Sequence, residues 1–304
     1  MSSLNSILVA VDFSPCSAVA LNAASRIAER NRASLRAVHV VPLPTFEPTP
    51  HPLIPFPLPT QADLVADAKE SWSRFVADAG VAPDVVCDIE VGRPRDAILE
   101  STARARADLL VLGAHGSHDA HKGVGPTAAA CMQRAKTMVL LVREDKVGPF
   151  KSVVACVDFT DTSKLTLQQA IRVAAHDEAA LCVLHVYDDP WRGLGAPTDI
   201  RVNMPDFKAQ FHRSVEDRLR EFCEPFAREL GAMKAEFQCL ESEWRGGGYG
   251  HAIVRFVKEH GCDLAVLGTR DRWNVRDMVF GSTAERVVRD APCSTLAVKP
   301  ALVE

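Results

Sequence analysis

A glycine loop in the second half of the chain combines residue types that suit an anionic ligand. The segment from Gly268 to Glu285 contains Arg270, Arg272 and Arg276 and ends in Gly281-Ser-Thr-Ala-Glu285. That ending matches a capping box, in which Ser282 would open a helix and an acidic residue would return a hydrogen bond. Free N–H groups at a helix start hold phosphates, and glycine lets the backbone come close to a ligand. The pattern is compatible with a phosphate-binding loop and also with an ordinary turn and helix cap.

A second glycine loop, nearer the N-terminus, adds histidines. It reads Gly113-Ala-His-Gly116 and reaches Gly125-Pro126, where the proline has no N–H group to offer. Imidazoles recur at every third residue, at His115, His118 and His121. They could bind a metal such as zinc, with Asp12 or Asp119 as an oxygen ligand. We favour a solvated loop, because a loop lacks the fixed face that a helix gives to such ligands.

Two aspartates stand directly after apolar runs, in Val11-Asp12-Phe13 and Val157-Asp158-Phe159. An acidic residue there could cap the next helix, or it could contact a ligand at the carboxyl end of a parallel strand. Because the aspartate recurs, we favour the ligand-side role. Nothing in the sequence groups a nucleophile, a base and an orienting residue, so no catalytic site is predicted.

An internal repeat assigns these residues to equivalent positions in two halves of the chain. Residues 5–41 align without a gap with residues 151–187, at a constant offset of 146 positions (151 − 5). Asp108–Gly113 then aligns with Asp263–Gly268, at an offset of 155 (263 − 108). The offset grows between elements, as expected when loops vary and the core is kept. The repeat predicts two domains, residues 1–148 and 149–304, joined at the polar stretch ending in Gly148-Pro149.

Strands and helices alternate in each half. In the first, the apolar pattern predicts strands at Ile7–Val11, Leu35–Val41, Val85–Val91, Leu109–Leu112 and Met138–Val142, with helices at Ala18–Arg30, Ala62–Ala79, Pro94–Arg106 and Ala128–Arg134. The second half repeats this order with a longer helix, Met204–Leu230. The predicted fold class is α/β, with two doubly wound, mostly parallel five-stranded sheets and flanking helices. Ligands of such sheets bind beyond the carboxyl ends of the strands, here the first and fourth.

One segment between predicted elements has a distinct composition. Pro42–Pro59 contains eight prolines in eighteen positions, so we predict neither helix nor strand in it. It could cover the first-half site or dock in a partner groove. A tolerated surface insertion is the interpretation that we favour.

Composition excludes several function classes. A net charge of −4 and a pI of about 6.2 give no broad positive field for nucleic acid. The nine cysteines never form a CxxC pair, which favours thiols in a reducing compartment. No apolar run reaches the ~18 residues of a membrane span, and no leader pattern opens the sequence. We therefore expect a cytoplasmic protein without nucleic-acid or membrane partners.

The chain resembles the universal stress protein family over nearly its whole length. The resemblance is carried by the repeat, by Val-Leu-Gly268-Thr-Arg270 and by Gly281-Ser-Thr-Ala-Glu-Arg-Val-Val-Arg-Asp-Ala-Pro-Cys-Ser-Thr-Leu-Ala-Val-Lys299. Nucleotide-binding members carry Gly, two residues, Gly, nine residues and Gly-Ser/Thr after the fourth strand. Their first-strand aspartate helps to hold adenosine and metal. The resemblance implies a HUP-like fold, similar to adenine nucleotide alpha hydrolases, and ATP or another adenine nucleotide as ligand, with or without Mg²⁺.

Transferred residue by residue, the resemblance implies a set of ligand contacts in each half. These are Asp12, Val41, Gly113, Gly116, Gly125 and Thr127, and in the second half Asp158, Gly268, Arg270, Gly281, Ser282 and Thr283. Both halves depart from the family pattern. Asp271 replaces the second glycine, and its carboxylate repels phosphate unless an arginine or a metal pairs with it. In the first half only eight residues precede Gly125, and Pro126 replaces Ser/Thr.

We predict a stress-response binding or regulatory protein rather than an enzyme, in which bound nucleotide shifts conformation or partner choice. One alternative is an interaction module whose altered sites bind no nucleotide. Another is a weak ATP-hydrolysing enzyme of the nucleotide alpha-hydrolase-like group, although the Ser-Gly-Gly-x-Asp-Ser loop of such enzymes is missing. The family pairs protomers through last strands, so Val139–Val142 and Leu296–Val298 are expected to pair the halves as an intramolecular pseudo-dimer. Further assembly into a homodimer would be common.

Overall fold

The computed structural model describes residues 4–42, 60–81, 84–116, 123–145, 147–190, 204–242, 248–269 and 281–300. The chain divides into two compact units, Met1–Gly148 and Pro149–Glu304. In each unit a parallel sheet carries the helices that connect its strands. The predicted α/β fold class is confirmed. None of the helices within the described ranges is long and apolar enough to cross a bilayer.

The first unit follows the predicted order of elements. They are β1 Ser6–Val11, α1 Pro15–Asn31, β2 Ser34–Pro42, α2 Gln61–Ala79, β3 Val86–Gly92, α3 Pro94–Arg104, β4 Leu109–Gly113, α4 Pro126–Arg134 and β5 Met138–Val142. The strand order is β3-β2-β1-β4-β5, and neighbouring strands run parallel. Because β1 lies between β2 and β4, the connections leave β1 in opposite directions, and a crevice opens at its carboxyl end.

The second unit repeats this plan with β6 as its first strand. Its elements are β6 Ser152–Val157, α5 Asp161–Asp177, β7 Ala180–Tyr187, α6 Met204–Cys223, α7 Ala227–Met233, β8 Glu236–Glu241, α8 Tyr249–His260, β9 Leu264–Gly268, α9 Ser282–Asp290 and β10 Ser294–Val298. The order β8-β7-β6-β9-β10 places β6 between β7 and β9, again with parallel neighbours.

The central strands form the floor of each core. Ile7, Leu8 and Val9 are at most 1% exposed, and Val153, Val154 and Ala155 repeat that burial in β6. Continuous apolar strands are typical of parallel sheets that are covered on both faces. The buried central strands therefore end at Val11 and Val157, directly before the two aspartates.

Prolines explain where the observed helices differ from the predicted ones. The predicted helix Met204–Leu230 is not continuous, because α6 ends at Cys223 and a 3-10 turn, Glu224–Phe226, precedes α7. Pro225 in that turn has no N–H group for a helical bond. In contrast, α1 and α4 begin earlier than predicted, at Pro15 and Pro126. A proline is tolerated at a first helical position, where the N–H would lack a helical partner anyway.

Candidate ligand-binding crevices

A left-handed residue turns the chain sharply at the end of β1. Phe13 has φ 61°, which is uncommon for a bulky residue. Asp12 Oδ1 accepts hydrogen bonds from Ser14 N at 3.1 Å and from Ser14 Oγ at 2.5 Å. Ser14 is the N-cap of α1, and its hydroxyl accepts from Ser17 N at 3.2 Å. Asp12 therefore fixes the capping residue and does not cap the helix itself.

The second unit repeats the turn with more hydrogen bonds. Phe159 has φ 65°, and Thr160 is the N-cap of α5. Asp158 Oδ1 accepts from Thr160 N at 3.3 Å, from Thr160 Oγ1 at 2.6 Å and from Ser163 Oγ at 2.5 Å. Three donors thus converge on one oxygen of Asp158, whereas Asp12 Oδ1 receives two from a single residue.

A histidine supports each left-handed phenylalanine. The Phe13 ring stacks on His39 with 4.2 Å between centroids, and Phe75 of α2 packs against it edge-on at 5.4 Å. His39 Nδ1 lies 2.9 Å from Val11 O. Because a carbonyl only accepts, Nδ1 carries the proton and donates. These contacts make His39 a structural residue of the turn.

The same arrangement surrounds Phe159. Its ring lies 4.1 Å from the His185 ring and 5.5 Å from Phe222, and His185 Nδ1 is 2.8 Å from Val157 O. Arg218 of α6 adds a cation 4.7 Å from the Phe159 ring centre. Burial lowers the pKa of His185, as it does for His39, and the backbone bond only partly offsets this. Both imidazoles are therefore held in the neutral form.

The loop after β4 folds back onto α1 and β5. Ala114 N donates to Val142 O at 2.8 Å, and the thiol of Cys16 donates to the same carbonyl at 3.3 Å. A Cβ on Gly113 would lie 3.0 Å from Cys16 Sγ, so helix and loop are closely packed. Burial raises the pKa of the Cys16 thiol, and the N–H groups of His115 and Ala114 offset part of that rise. Cys16 therefore remains a neutral thiol inside this contact.

Gly116 brings the same loop against the first-strand aspartate. A Cβ on Gly116 would lie 2.5 Å from Asp12 Oδ2, closer than real Cβ contacts occur. Across the loop, Gly125 N donates to Ala114 O at 2.7 Å. The structure therefore brings Asp12 and Gly116 into contact, with Gly113 and Gly125 at the two ends of the same loop. Contact of these residues with a ligand stays a prediction. A side chain at position 116 would occupy the space that Asp12 borders.

The helix α4 starts at this crevice without a side-chain cap. Gly125 is its N-cap and Pro126 its first residue, and no side chain from the part of the chain that the structure describes caps the helix. Thr127, the second residue, is partly exposed. Because the first N–H groups of a helix have no partner within it, the amides of Thr127 and Ala128 are available to an anion. Pro126 reduces their number by one, as expected from the sequence.

For the loop after β9 in the second unit, the structure describes the first residues, Gly268 and Thr269, and the last, Gly281. Gly268 packs against α5, since a Cβ there would lie 3.0 Å from Thr162 Cγ2. Both Thr269 N, at 3.0 Å, and Thr269 Oγ1, at 3.4 Å, donate to Val298 O. Arg270, Asp271, Arg272 and Arg276 lie outside the described residues. Contacts of Arg270 with a ligand stay a prediction.

The predicted capping box at the start of α9 is wrong. Gly281 is the N-cap, and no side-chain cap is formed within the described residues. Ser282 is the exposed first helical residue, and Thr283, the second, is partly exposed. Glycine at the N-cap leaves the first amides of the helix without a partner, because it has no hydroxyl to accept from them. These amides are available to an anion. Phosphate binding at the start of α9 therefore stays a prediction, although the capping box does not form.

The ends of the second strands differ between the units. Val41 is 6% exposed and lies opposite Val91 of β3. The aligned residue in the second unit is Tyr187, whose hydroxyl lies 2.7 Å from His212 Nδ1. Asp188 follows and accepts hydrogen bonds from Ser242 Oγ and from Tyr249 OH, the latter at 2.6 Å. The end of the second strand is therefore apolar in the first unit and polar in the second.

Sequence reasoning missed several residues that organise these crevices. Ser14 and Thr160 were not identified as caps, although a hydroxyl residue two positions after each aspartate signals an N-cap. Cys16 and the polar group around Asp188 depend on contacts between distant segments. No local pattern in the sequence indicates such contacts.

A histidine metal site finds no support within the described ranges. There, no group of three or more His, Cys, Asp or Glu side chains is arranged to hold a metal ion. His115 is partly exposed beside Gly116, whereas His118 and His121 lie outside the described residues. The three-histidine site stays an untested prediction.

Comparisons with known proteins agree with this architecture. The model of the universal stress protein family matches residues 4–143 and 149–299. Universal stress protein E of Photorhabdus laumondii is 24% identical over an alignment of 328 positions. The alignment covers 99% of this chain and 96% of that one. A universal stress protein of Methanocaldococcus jannaschii is 26% identical over 152 residues, 49% of this chain and 82% of the relative.

Solved structures extend the likeness to the whole fold. A universal stress protein from Archaeoglobus fulgidus superposes with a TM-score of 0.61 at 19% identity, covering 99% of this chain and 98% of that one. A putative universal stress protein from Pseudomonas aeruginosa gives 0.64 at 17% identity, with coverages of 98% and 94%. At this identity the likeness concerns the fold.

The fold defines a tandem protein of two similar α/β units, each with an aspartate directly after its first strand and a glycine at the end of its fourth strand. The family model covers both units almost completely. The chain belongs to the universal stress protein family.

Proposed function

We propose that this chain is a stress-response regulatory protein that binds ATP or another adenine nucleotide, with Mg²⁺, in the crevice beside the first and fourth strands of one or both units. The observation that carries the proposal is the contact between Gly116 and Asp12. The loop backbone approaches the carboxylate so closely that a Cβ would lie 2.5 Å from Oδ2. Such an approach suits a site that surrounds a ligand with backbone on one side and an acceptor on the other.

The residues present fit the parts of a nucleotide. Asp12 and Asp158 would accept from ribose hydroxyls or hold a magnesium ion, because carboxylate oxygens are the ligands that Mg²⁺ prefers. The uncapped starts of α4 and α9 would take phosphate oxygens. The apolar strand end at Val41 would lie beside the base. A nucleotide bound in this way supplies binding energy that shifts the balance between conformations of the chain.

Regulation rather than catalysis fits the chemistry of the crevices. His39 and His185 are held neutral by burial and donate to backbone carbonyls, so neither imidazole proton is directed at a ligand. Cys16 is buried, and its pKa is raised. Within the described residues, the crevices therefore offer groups that bind and orient a ligand but no activated nucleophile.

Calorimetry tests the proposal directly. Protein freed of bound ligand is titrated with ATP, ADP and AMP, each with and without Mg²⁺. We expect saturable binding of at least one nucleotide, strengthened by magnesium. Absence of heat with all three, in protein whose far-UV circular dichroism shows the native fold, would overturn the proposal.

A further inference from the structure

We infer that the face formed by the first turn of α3 and the last turn of α4 is a docking surface for an acidic segment of a partner protein. The inference goes beyond the proposed function and does not depend on nucleotide binding. Three arginines belong to these two turns, Arg93, Arg95 and Arg134. They form a positive face on a chain whose formal net charge is −4.

One aspartate lies among the three arginines. Arg95 Nε donates to Asp96 Oδ1 at 2.7 Å, and a second nitrogen of the same guanidinium donates to Oδ2 at 3.2 Å. Hydrogen bonding from Arg95 is the largest cause that lowers the pKa of the Asp96 carboxyl, and the charges of Arg93 and Arg134 lower that pKa further. Three guanidinium groups thus surround a single carboxylate, which leaves a local excess of two positive charges (3 − 1).

Helix packing sets the distance between the two turns. The helices α3 and α4 pack against each other, and Cys131, about one turn before Arg134, is fully buried. Burial raises the pKa of the Cys131 thiol to about 12, and the charges of Arg95 and Asp96 also act on it. The end of α4 therefore lies beside the start of α3, and a packed contact fixes the backbone that carries the arginines.

Two of the three arginines are available to a partner. Arg93 and Arg134 are exposed, and neither forms a hydrogen bond or an ion pair with any residue that the structure describes. Arg95 is held by Asp96, and its side chain is still 38% exposed. A guanidinium can bind a carboxylate through two parallel N–H bonds, so this face suits neighbouring carboxylates of a partner.

The equivalent positions of the second unit hold no arginine. The N-caps of α3 and α8 correspond to each other, and so do the last residues of α4 and α9, which are both nine residues long. At these positions the second unit has Gly248, Gly250 and Asp290 in place of Arg93, Arg95 and Arg134. The shared fold therefore does not require the cluster of arginines.

The second unit also pairs the cations that α9 carries. Asp290 Oδ1 accepts from Arg289 Nε at 2.9 Å, and Asp290 Oδ2 accepts from Arg286 Nη1 at 3.4 Å. One carboxylate at the end of α9 thus binds two arginines. At the end of α4 the corresponding residue is itself an arginine, so the charge of this helix end is left for a partner to neutralise.

The number of cations favours a short acidic protein segment over a nucleic acid. A nucleic acid gains affinity when many of its phosphates are neutralised, and the negative net charge of the chain opposes its approach. Three arginines match the carboxylates of a few neighbouring Asp or Glu residues. Arginines are also frequent anchors of protein interfaces, where complementary charge determines the choice of partner.

Fluorescence anisotropy of a fluorescein-labelled hexaglutamate peptide, titrated with the full chain, tests the inference. We expect saturable binding at about 20 mM salt that weakens at about 150 mM, because salt screens exposed charges. Absence of binding at the lower salt concentration would overturn the inference. Tighter binding of duplex DNA or of phosphatidylserine vesicles than of the peptide, in the same buffer, would overturn the choice of an acidic protein segment.

A double substitution locates the peptide on the chain. Arg93→Gln with Arg134→Gln removes two exposed charges and leaves the ion pair of Arg95 intact, so the start of α3 should fold as in the wild type. We expect the Kd for the peptide to rise about tenfold or more. Wild-type affinity in this variant, with the native far-UV circular dichroism spectrum, would show that the peptide does not bind at this face and would overturn the inference.

The matched control removes the same charge from the equivalent helices of the second unit. Arg255 on α8 and Arg289 on α9 each form an ion pair near the surface. In Arg255→Gln with Arg289→Gln we expect the Kd for the peptide to change by less than about twofold. An equal loss of affinity in both double variants would mean that the peptide responds to net charge alone, which would contradict a docking surface on α3 and α4.

Discussion

The two left-handed phenylalanines are strained residues that the surrounding contacts hold in place. A non-glycine residue with positive φ costs of order 1–3 kcal/mol and persists only where its neighbours determine the conformation. For Phe13 those neighbours are His39 and Phe75, and for Phe159 they are His185 and Phe222. The turn directs each aspartate away from the strand and toward the start of the next helix. The strained conformation therefore sets the position of each aspartate.

The two buried histidines should make stability depend on pH. Burial lowers their pKa values, so the folded chain binds these protons less readily than the unfolded chain, in which histidine titrates near about 6.5. Their contribution to stability is complete above about pH 6.5 and is lost as the pH falls toward the folded-state pKa values. We expect urea midpoints to be constant from about pH 7 to 8 and to decrease below about pH 6.5.

Paired substitutions isolate this effect from other titrating groups. In His39→Asn with His185→Asn, the amides can still donate to Val11 O and Val157 O but do not titrate. We expect a weaker pH dependence than in the wild type. His176→Asn, an exposed position on α5, is the control. A double variant that loses stability with acid as steeply as the wild type would show that other groups dominate.

At the scale of elements, the sequence predicted what depends on local pattern. The apolar run Ile7–Val11 and its repeat in β6 identified the central strands, because a strand buried on both faces must be continuously apolar. The periodicity of α2, from Gln61 to Ala79, placed that helix within one residue of its observed start. The meeting of Asp12 with the glycine loop followed from the rule that parallel strands end at one edge.

Features that depend on competing local signals or distant contacts were not predicted. Pro225 interrupts a helix whose apolar periodicity continues across it, and periodicity alone does not register a missing donor. The Ser282 pattern resembles a cap, yet the chain uses Gly281 instead. Asp12 and Asp158 are identical in local sequence position but differ in their donors, because Ser17 and Ser163 direct their hydroxyls differently.

Gly250 in the second unit tests how closely α8 and α9 pack against each other. Gly250 is the second residue of α8. A Cβ there would lie 2.7 Å from Arg286 Cβ and 3.1 Å from Thr283 O, both on α9. Gly250→Ala should therefore force the two helices apart and lower the free energy of unfolding by about 1–3 kcal/mol.

The control for this change is Gly231→Ala, which is expected to raise the free energy of unfolding. Gly231 lies in α7, and a Cβ there meets nothing within 4 Å. Gly231→Ala should raise the free energy of unfolding by about 0.5–1 kcal/mol, since alanine is the better helix former. Chemical denaturation of both variants gives the comparison. A Gly250→Ala protein as stable as Gly231→Ala would show that α8 and α9 have room between them.

On the scale of the whole molecule, duplication has kept a scaffold and allowed its details to diverge. Both units retain the aspartate, the left-handed phenylalanine and the histidine that donates to the strand end. They differ in the residues that surround this scaffold, with Val41 in one and Tyr187, Asp188 and Tyr249 in the other. The shared parts specify the fold, and the differing parts give the two strand ends different chemistry.

This divergence leads to a prediction about stoichiometry. Because the residues around the two aspartates differ, we expect the two crevices to bind Mg-ATP with unequal affinity. Native mass spectrometry across a titration with Mg-ATP would then show one added nucleotide per chain before a second appears. Asp12→Asn and Asp158→Asn each remove one carboxylate charge, and the variant that loses the first adduct identifies the unit that binds more tightly. Two equivalents that bind with equal affinity would mean that the units have remained functionally equivalent despite their different contacts.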